Sequence, residues 1–449
     1  MANSPLLYDT LFHAQAMSGI FSDRGTLQGM LDFEAALARA EARVGVIPAE
    51  HASAIGAKCN AELFDLSALS NDAANTGNMA IPLVKALTVL VAQENESAAR
   101  SAHWGATSQD VLDTGLILQL RQALDFFDIE LLKLANNCAN HADKHRQTVM
   151  AGRTWLQHAT PITFGLKAAG WLSAVERHRS RIAQCRERVL VLQFGGASGT
   201  LASLGERGLD VAKQLAQGLK LRLPDTPWHS QRDNLVEVAS LLGMLTGTLG
   251  KIARDISLMM QSEIGEAVEP AAEGRGASST MPHKRNPVSC AVILAAATRI
   301  PGLLSTMFSA MTQEHERGLG GWHAEWQTLP QICQLAAGAL EHTNHMLQGL
   351  EIDRARMRVN LDVTQGLILA EAVSMALATQ VGREKAHHII EQASQRARAS
   401  KRHLHDVLAS DKQISAHLNH SDLEKLFDAK NYLGVAESFI NRALAGRKP

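Results

Sequence analysis

Apolar residues recur at steps of three and four along most of the chain, a spacing that places them on one face of successive α-helices. One helix is predicted from Thr26, with apolar side chains at Met30, Phe33, Leu37, Ala40 and Val44. Gly45 and then Pro48 follow, which is the usual sequence at a helix C-terminus. No alternating strand pattern with an Asn-Gly or Asp-Gly turn stands out. The pattern therefore predicts an all-α protein.

Longer amphipathic segments occupy the middle of the chain. One begins at Val111 and keeps the same period through Leu134. The most regular follows Pro227, where steps of four and three alternate without a break at Val238, Leu242, Leu245, Leu249, Ile252, Ile256 and Met259. Such a seam is typical of a helix that packs at a shallow angle against long neighbours. We therefore expect a central bundle of long helices.

The chain is long for one hydrophobic core. Its 449 residues indicate two or three domains. The long helices begin near residue 110, and shorter, more polar helices begin near residue 362. We therefore predict an N-terminal helical domain over 1–110, a central helical bundle over 111–362 and a C-terminal helical domain over 363–449.

Composition argues against several classes of function. The 44 Lys and Arg nearly balance the 45 Asp and Glu, so the chain lacks the basic excess of a nucleic-acid-binding protein. The five cysteines are scattered without a CxxC pair, as expected in a reducing compartment. We find no secretory signal pattern, and no apolar run approaches the ~18 residues of a membrane span. We therefore expect a cytoplasmic protein that binds neither nucleic acid nor membrane.

Cofactor and metal motifs are not evident. The glycine-rich run 195–199 matches neither the Walker nor the dinucleotide spacing. His315 and His323 lack metal-ligand spacing with carboxylates, and His387 and His388 are adjacent on a predicted helix, where they cannot share a face. We therefore expect no cofactor and no metal.

Three polar segments interrupt the helical pattern, and they contain the candidate catalytic and substrate-binding residues. The first, residues 103–110, directly precedes the helix that begins near Val111. Ser108 or Asp110 is a suitable N-cap there. Thr107 and Ser108, beside a helix N-terminus, also form a good receptor for a carboxylate. His103 is equally consistent with a contact to substrate and with a structural role.

The second segment, residues 152–161, contains Arg153, Thr154 and Gln157. Its guanidinium, hydroxyl and amide donors suit a polyanionic ligand. The alternative is an interhelical hydrogen-bond network.

The third segment, residues 274–287, is rich in small residues, which allow a loop to open and close over a substrate. It presents Ser278 and Ser279 near a lysine and backbone N–H groups, where a serine can ionise and act as an acid or base. Lys284 and Asn286 can hold the charge that develops on a substrate carboxylate. A solvated surface loop is the alternative.

Residues 278–287 resemble the signature loop of the fumarase/aspartase superfamily, which includes the argininosuccinate and adenylosuccinate lyases. The other two segments have the order and spacing of that superfamily's other site segments, and the resemblance covers essentially the whole chain. Within the superfamily, the chain resembles most the branch that closes 3-carboxymuconate to a lactone. The segments that carry this closer resemblance are residues 21–25, 152–161, 192–199, 313–317 and 322–326. The resemblance implies an all-α, three-domain subunit with a central long-helix bundle, assembled as a homotetramer whose active sites are shared between subunits.

The resemblance also implies roles for the candidate residues. Ser278, with Ser279 beside it, would supply a proton to carbon, while Lys284 and Asn286 stabilise the aci-carboxylate formed on addition. The substrate would be a small tricarboxylate. Arg317 is the natural anchor for one carboxylate, because a guanidinium binds a carboxylate with two hydrogen bonds. The residues that would bind and position the substrate are His103, Thr107, Ser108, Arg153, Thr154, Trp155, Gln157 and Arg317.

Two residues depart from the superfamily pattern. Ala277 stands where glycine is usual. Trp155 stands where adenylosuccinate lyases have a histidine associated with protonating the leaving group, and indole cannot donate a catalytic proton at neutral pH. A carboxylate, with a pKa near ~4, leaves without a proton and in reverse attacks as the anion. Trp155 therefore favours lactonisation, in which it excludes water or packs against the planar diene.

Two other functions remain as alternatives. An elimination similar to that of adenylosuccinate lyase would release fumarate, and Trp155 disfavours it. An inactive scaffold similar to the lens crystallins of this superfamily is the second, and the intact set of Ser278, Lys284 and Asn286 disfavours it.

Overall fold

The computed structural model describes residues 7–270, 276, 281 and 284–447. Helices dominate this part of the chain, which confirms the predicted all-α class. Short 3-10 helices lie at Ala61–Leu63, Ala202–Arg207, Leu367–Leu369 and Ala429–Tyr432. The α-helices are α1 (Asp9–Phe12), α2 (Gln15–Ile20), α3 (Asp23–Val44), α4 (Ala49–Lys58), α5 (Leu66–Thr76), α6 (Ala80–Ala92), α7 (Glu96–Ala99), α8 (Ser108–Lys144), α9 (Phe164–Val189), α10 (Gly208–Leu219), α11 (Asp233–Met259), α12 (Val288–Ala310), α13 (Gly321–Gln348), α14 (Arg354–Asp362), α15 (Ala370–Val381), α16 (Arg383–Ser400), α17 (Leu404–Ala409), α18 (Lys412–Ser415), α19 (His420–Leu426) and α20 (Ala436–Ala445).

The predicted helix boundaries have clear local causes. α3 begins after Ser22, whose Oγ accepts a hydrogen bond from the backbone N–H of Gly25 at 3.0 Å. It ends before Gly45, which adopts the left-handed conformation with a φ of 77°. A serine N-cap and a glycine after the last turn satisfy the free backbone groups at the two ends. The predicted helix from Thr26 to Val44 is thus confirmed, with an earlier start at Asp23.

The long bundle helices are also confirmed. α8 runs for 37 residues and α11 for 27. All seven residues of the heptad seam on α11 are buried: Val238, Leu242, Leu245, Leu249, Ile252, Ile256 and Met259. The alternating steps of four and three therefore mark the packed face of this helix.

The described part of the chain also contains four short strands, which were not predicted from the sequence. β1 (Val149–Thr154) and β2 (Gln157–Thr163) form an antiparallel hairpin, and β3 (Ala267–Val268) pairs antiparallel with β4 (Glu351–Ile352). The first four residues of β1 are all buried, so it lacks the alternation that marks a half-buried strand. A two-residue turn without Asn or Gly connects β1 to β2, so the usual hairpin signal is absent as well.

Within the described residues, two helices, α11 and α12, are long and apolar enough to span a membrane by length and composition alone. The protein itself buries 61% of the most apolar window of α11. For α12 the buried share of that window is 33%, and the side chain of Phe308 on this helix is 54% exposed in the single chain.

Two compact units divide the chain. Unit 1 comprises Met1–Leu131, His178–Leu249 and Val292–Glu341, and unit 2 comprises Leu132–Arg177, Gly250–Ala291 and His342–Pro449. Five helices, α8, α9, α11, α12 and α13, contribute residues to both. The three-domain division at residues 110 and 362 remains a prediction.

Candidate active site

Three of the predicted site residues meet in unit 1. The Arg317 guanidinium donates from Nη1 to Thr107 Oγ1 at 2.8 Å and from Nη2 to Ser108 Oγ at 2.9 Å. Its Nε also donates to Gln109 Oε1 at 3.3 Å. All three acceptors are neutral, and the described part of the chain offers Arg317 no carboxylate partner. The arrangement is a positively charged site at the N-terminus of α8, where the helix dipole adds to the charge.

Asp110 holds this segment in place, although the sequence suggested it only as an N-cap. It lies in the first turn of α8, and its Oδ2 accepts from the backbone N–H of Thr107 at 3.0 Å. The same carboxylate accepts from the backbone N–H of Gly195 at 3.0 Å and of Gly196 at 2.9 Å, and lies 2.7 Å from His229 Nε2. This fully buried carboxylate therefore binds the glycine-rich run 195–199 to the start of α8.

A second buried network joins α8 to the start of α13. Arg232 forms a paired ion contact with Asp113, at 2.6 and 2.9 Å, and another with Glu325. Trp322 Nε1 donates to Asp113 Oδ1 at 3.0 Å. Because Arg317 lies just before α13 and Thr107 just before α8, this network fixes the distance between them. Nothing in the local sequence signals it, since its partners lie up to 209 residues apart.

His103 also lies in unit 1, in the loop before α8. Its Nδ1 is 2.6 Å from Glu34 Oε1 on α3, and its φ is 58°, in the left-handed region. Burial lowers the pKa of His103, but the Glu34 carboxylate and, more weakly, Asp110 raise it, so the net shift is upward. The ring is therefore biased towards the imidazolium form.

The second segment forms the hairpin of β1 and β2 in unit 2. Arg153 donates from Nη1 and Nη2 to the two carboxylate oxygens of Glu266, at 2.8 and 2.7 Å. Asn360 Nδ2 donates to the same carboxylate at 2.8 Å. Because Glu266 is fully buried, this bidentate pair anchors the hairpin to the segment that leads into β3. The guanidinium group of Arg153 therefore already binds a carboxylate of the protein.

The tip of the hairpin is the pair Trp155 and Leu156. Both have positive φ, 51° and 65°, as a type I′ turn requires, although neither residue readily adopts that conformation. Trp155 is 96% exposed and Leu156 is 81% exposed in the single chain. Thr154 and Gln157, which flank the turn, are exposed as well. The hairpin therefore presents an apolar tip between two polar side chains.

The described part of the third segment lies in unit 2. The backbone N–H of Asn286 donates to Gly276 O at 3.0 Å, and the Lys284 side chain is exposed. Arg285 pairs with Glu351 at 2.8 Å. Buried Glu269 accepts from the backbone N–H groups of Ser289 and Cys290, at 3.0 and 2.8 Å, and so caps the start of α12. Ser278 and Ser279 lie outside the described residues.

This fold and these segments define the class of protein. The chain belongs to the fumarase/aspartase superfamily of lyases. A family model described as lyase matches residues 11–302, and a model described as adenylosuccinate lyase C-terminus matches residues 366–443.

Similarity to individual proteins is more specific. The chain is 58% identical over 439 residues to 3-carboxy-cis,cis-muconate cycloisomerase of Pseudomonas aeruginosa, covering 98% of this chain and 96% of that protein. It is 58% identical over 418 residues to the enzyme of the same name from Pseudomonas putida, covering 93% and 99%. The crystal structure of 3-carboxy-cis,cis-muconate lactonizing enzyme from Pseudomonas putida superimposes with a TM-score of 0.94 at 57% identity, covering 98% of both chains.

Proposed function

We propose that the chain converts 3-carboxy-cis,cis-muconate to 4-carboxymuconolactone, a step of protocatechuate catabolism in the β-ketoadipate route. One substrate carboxylate adds across the conjugated double bond, and the adjacent carbanion takes up one proton. The enzyme is therefore an isomerase, an intramolecular lyase. The names of the similar proteins support this function, and so does the chemistry of the candidate residues.

The observation that carries the proposal is the environment of Arg317. A cation whose hydrogen-bond acceptors in the described structure are all neutral oxygens attracts an anionic ligand, and the start of α8 adds the positive end of its dipole. Each hydroxyl of Thr107 and Ser108 accepts from the guanidinium, so its single proton is free to point elsewhere. Arg317 thereby orients two O–H donors as well as supplying charge. Together these groups bind one substrate carboxylate.

The candidates of unit 2 supply the groups that act on the reacting carbon atoms. Lys284 is an exposed cation, and Asn286 is an amide donor on the same segment. These two residues stabilise the aci-carboxylate, which carries more negative charge than the substrate carboxylate. Ser278, on the same segment, gives the proton to the carbanion and is then restored from solvent.

Trp155 fits a reaction that needs no general acid at its position. A carboxylate nucleophile is already an anion at neutral pH, and no basic leaving group departs. The exposed indole at the hairpin tip offers a flat apolar surface that covers the diene and excludes water. Thr154 and Gln157 beside it donate to the remaining carboxylates.

The uncovered apolar surface supports a homotetramer with active sites shared between subunits. α12 leaves most of its apolar window unburied, and Phe308 on this helix is 54% exposed. Trp155 and Leu156 are larger apolar groups than a solvated turn usually carries. Other copies of the same chain cover these surfaces, and the assembly is cytoplasmic.

An ultraviolet assay with two substrates tests the function. With 3-carboxy-cis,cis-muconate we expect loss of the diene absorbance without release of fumarate. With adenylosuccinate we expect no change, because no general acid stands at Trp155. Fumarate release from adenylosuccinate would instead support elimination, and inactivity towards both substrates would support a scaffold.

A further inference from the structure

Two buried carboxyl groups lie on one face of α3, and one of them contacts His103, in the loop that leads to Thr107 and Ser108. Glu34 is 1% exposed and Glu41 is fully buried. Glu34 Oε1 lies 2.6 Å from His103 Nδ1, whereas neither oxygen of Glu41 has a hydrogen-bond partner in the described structure. Seven residues separate the two, which places them on the same face of the helix. Only one of these carboxyl groups is therefore paired with a titratable ring.

The surroundings decide which of these groups is charged. Burial, and then the nearby Glu34 carboxylate, raise the pKa of Glu41 to about 9, so Glu41 is neutral at pH 7. The His103 ring is the partner of Glu34, and a carboxylate buried without a cation would be costly. Asp110 on α8 is the other carboxylate that acts on His103, and backbone N–H groups and His229 already engage it.

We propose that Glu34 is a positioning residue that holds His103 as an imidazolium at the substrate site, with Nε2–H as a charged donor for a substrate carboxylate. The inference rests on the proposed function. Glu34 binds Nδ1, which leaves Nε2 as the second donor of the cation. His103 lies four residues before Thr107, and its side chain is 17% exposed, so the ring is not sealed inside the core. A tricarboxylate thus meets a charged donor here besides Arg317.

The pH dependence of KM tests this role. In the wild type, KM for 3-carboxy-cis,cis-muconate should stay low while His103 is protonated and rise as the pH passes its raised pKa. Glu34→Gln keeps a hydrogen-bond partner but removes the charge. Burial then dominates, so the inflection should move down by about one pH unit or more. At pH values between the two inflections KM should rise roughly tenfold, as expected when a charged donor becomes neutral, with a smaller change at pH values below both.

Glu41→Gln is the matched control, because Glu41 is already neutral and its replacement should leave the inflection in place. His103→Gln should remove the inflection and leave KM high at every pH, which provides a test even if Glu34→Gln does not fold. An unmoved inflection in Glu34→Gln, an equal shift in Glu41→Gln, or a surviving inflection in His103→Gln would overturn the inference while the proposed function stands. A wild type that does not consume the substrate would overturn both.

Discussion

Trp155 is the residue at which lactonisation and amine elimination differ most. Trp155→His should lower kcat/KM for 3-carboxy-cis,cis-muconate, because the smaller polar ring admits water and loses contact with the diene. The loss should correspond to about 1–3 kcal/mol of transition-state stabilisation. Trp155→Phe, which keeps an aromatic surface, should lose less. A faster Trp155→His variant with a bell-shaped pH profile would contradict this role, because a general acid would then limit the reaction.

Glu41 gives a prediction about stability. Its pKa of about 9 in the folded state exceeds the ordinary value of 4.5, so between these values the folded state holds a proton that the unfolded state releases. The free energy of unfolding should therefore fall as pH rises through this window, by about 1 kcal/mol per pH unit. Glu41→Gln should remove that slope, and Glu50→Gln, at an exposed position on α4, should keep it. Urea midpoints from pH 5 to 9 at one protein concentration measure both, and equal slopes in all three proteins would contradict the argument.

At the scale of single residues, the sequence identified candidate site residues where the pattern that marks them lies in neighbouring positions of the chain. Thr107 and Ser108 were identifiable because hydroxyl residues precede a long apolar helix. Glu34 and Arg232 were not, because their partners lie 69 and 93 to 119 residues away and no spacing rule connects them. Their function depends on tertiary packing, which a pattern along one chain does not encode.

The hairpin of β1 and β2 is the element that the sequence pattern missed and on which the candidate site most depends. Gly152 lies at the irregularity in its register, and a Cβ there would lie 2.5 Å from the carbonyl oxygen of Thr160. Gly152→Ala should therefore displace the backbone and lower the free energy of unfolding by about 1–3 kcal/mol. It should also lower kcat/KM, because the displaced strand carries Arg153 and leads directly into Trp155 at the tip of the hairpin.

Gly170 provides the control for that substitution. It is exposed on α9, and a Cβ there would meet no atom within 4 Å. Gly170→Ala should raise the stability by about 0.5–1 kcal/mol, since alanine is the better helix former. Chemical denaturation and steady-state kinetics of both variants make the comparison. Equal changes in the free energy of unfolding and in kcat/KM for the two variants would show that the close approach at Gly152 does not prevent a larger side chain there.

The assembly can be tested by mixing two inactive variants. Arg317→Gln removes the charge in unit 1, and Lys284→Met removes the cation on the third segment of unit 2. If different subunits supply these residues to one active site, as in the proposed homotetramer, hybrid assemblies contain some sites that carry neither substitution. Activity should then exceed the sum of the separate variants. A mixture of Lys284→Met with Asn286→Ala, in the same segment, should gain nothing, and no gain in the first mixture would contradict shared sites.

At the scale of the whole molecule, the long helices and the all-α class followed from the hydrophobic period, and the family followed from its site segments. The resemblance also indicated the reaction, because Trp155 excludes a general acid where the adenylosuccinate lyases have one. The two compact units could not be predicted, since each combines segments from three separate parts of the chain. That grouping depends on how the long helices pack and not on their order.

The central claim is that a substrate carboxylate adds to the double bond and the neighbouring carbon takes up one proton. Turnover of 3-carboxy-cis,cis-muconate in D₂O, followed by NMR of the product, measures this directly. We predict 4-carboxymuconolactone with one carbon-bound deuterium, on the carbon next to the carboxylate that stabilised the carbanion, and no fumarate. Unchanged substrate, or a lactone without deuterium, would contradict the account.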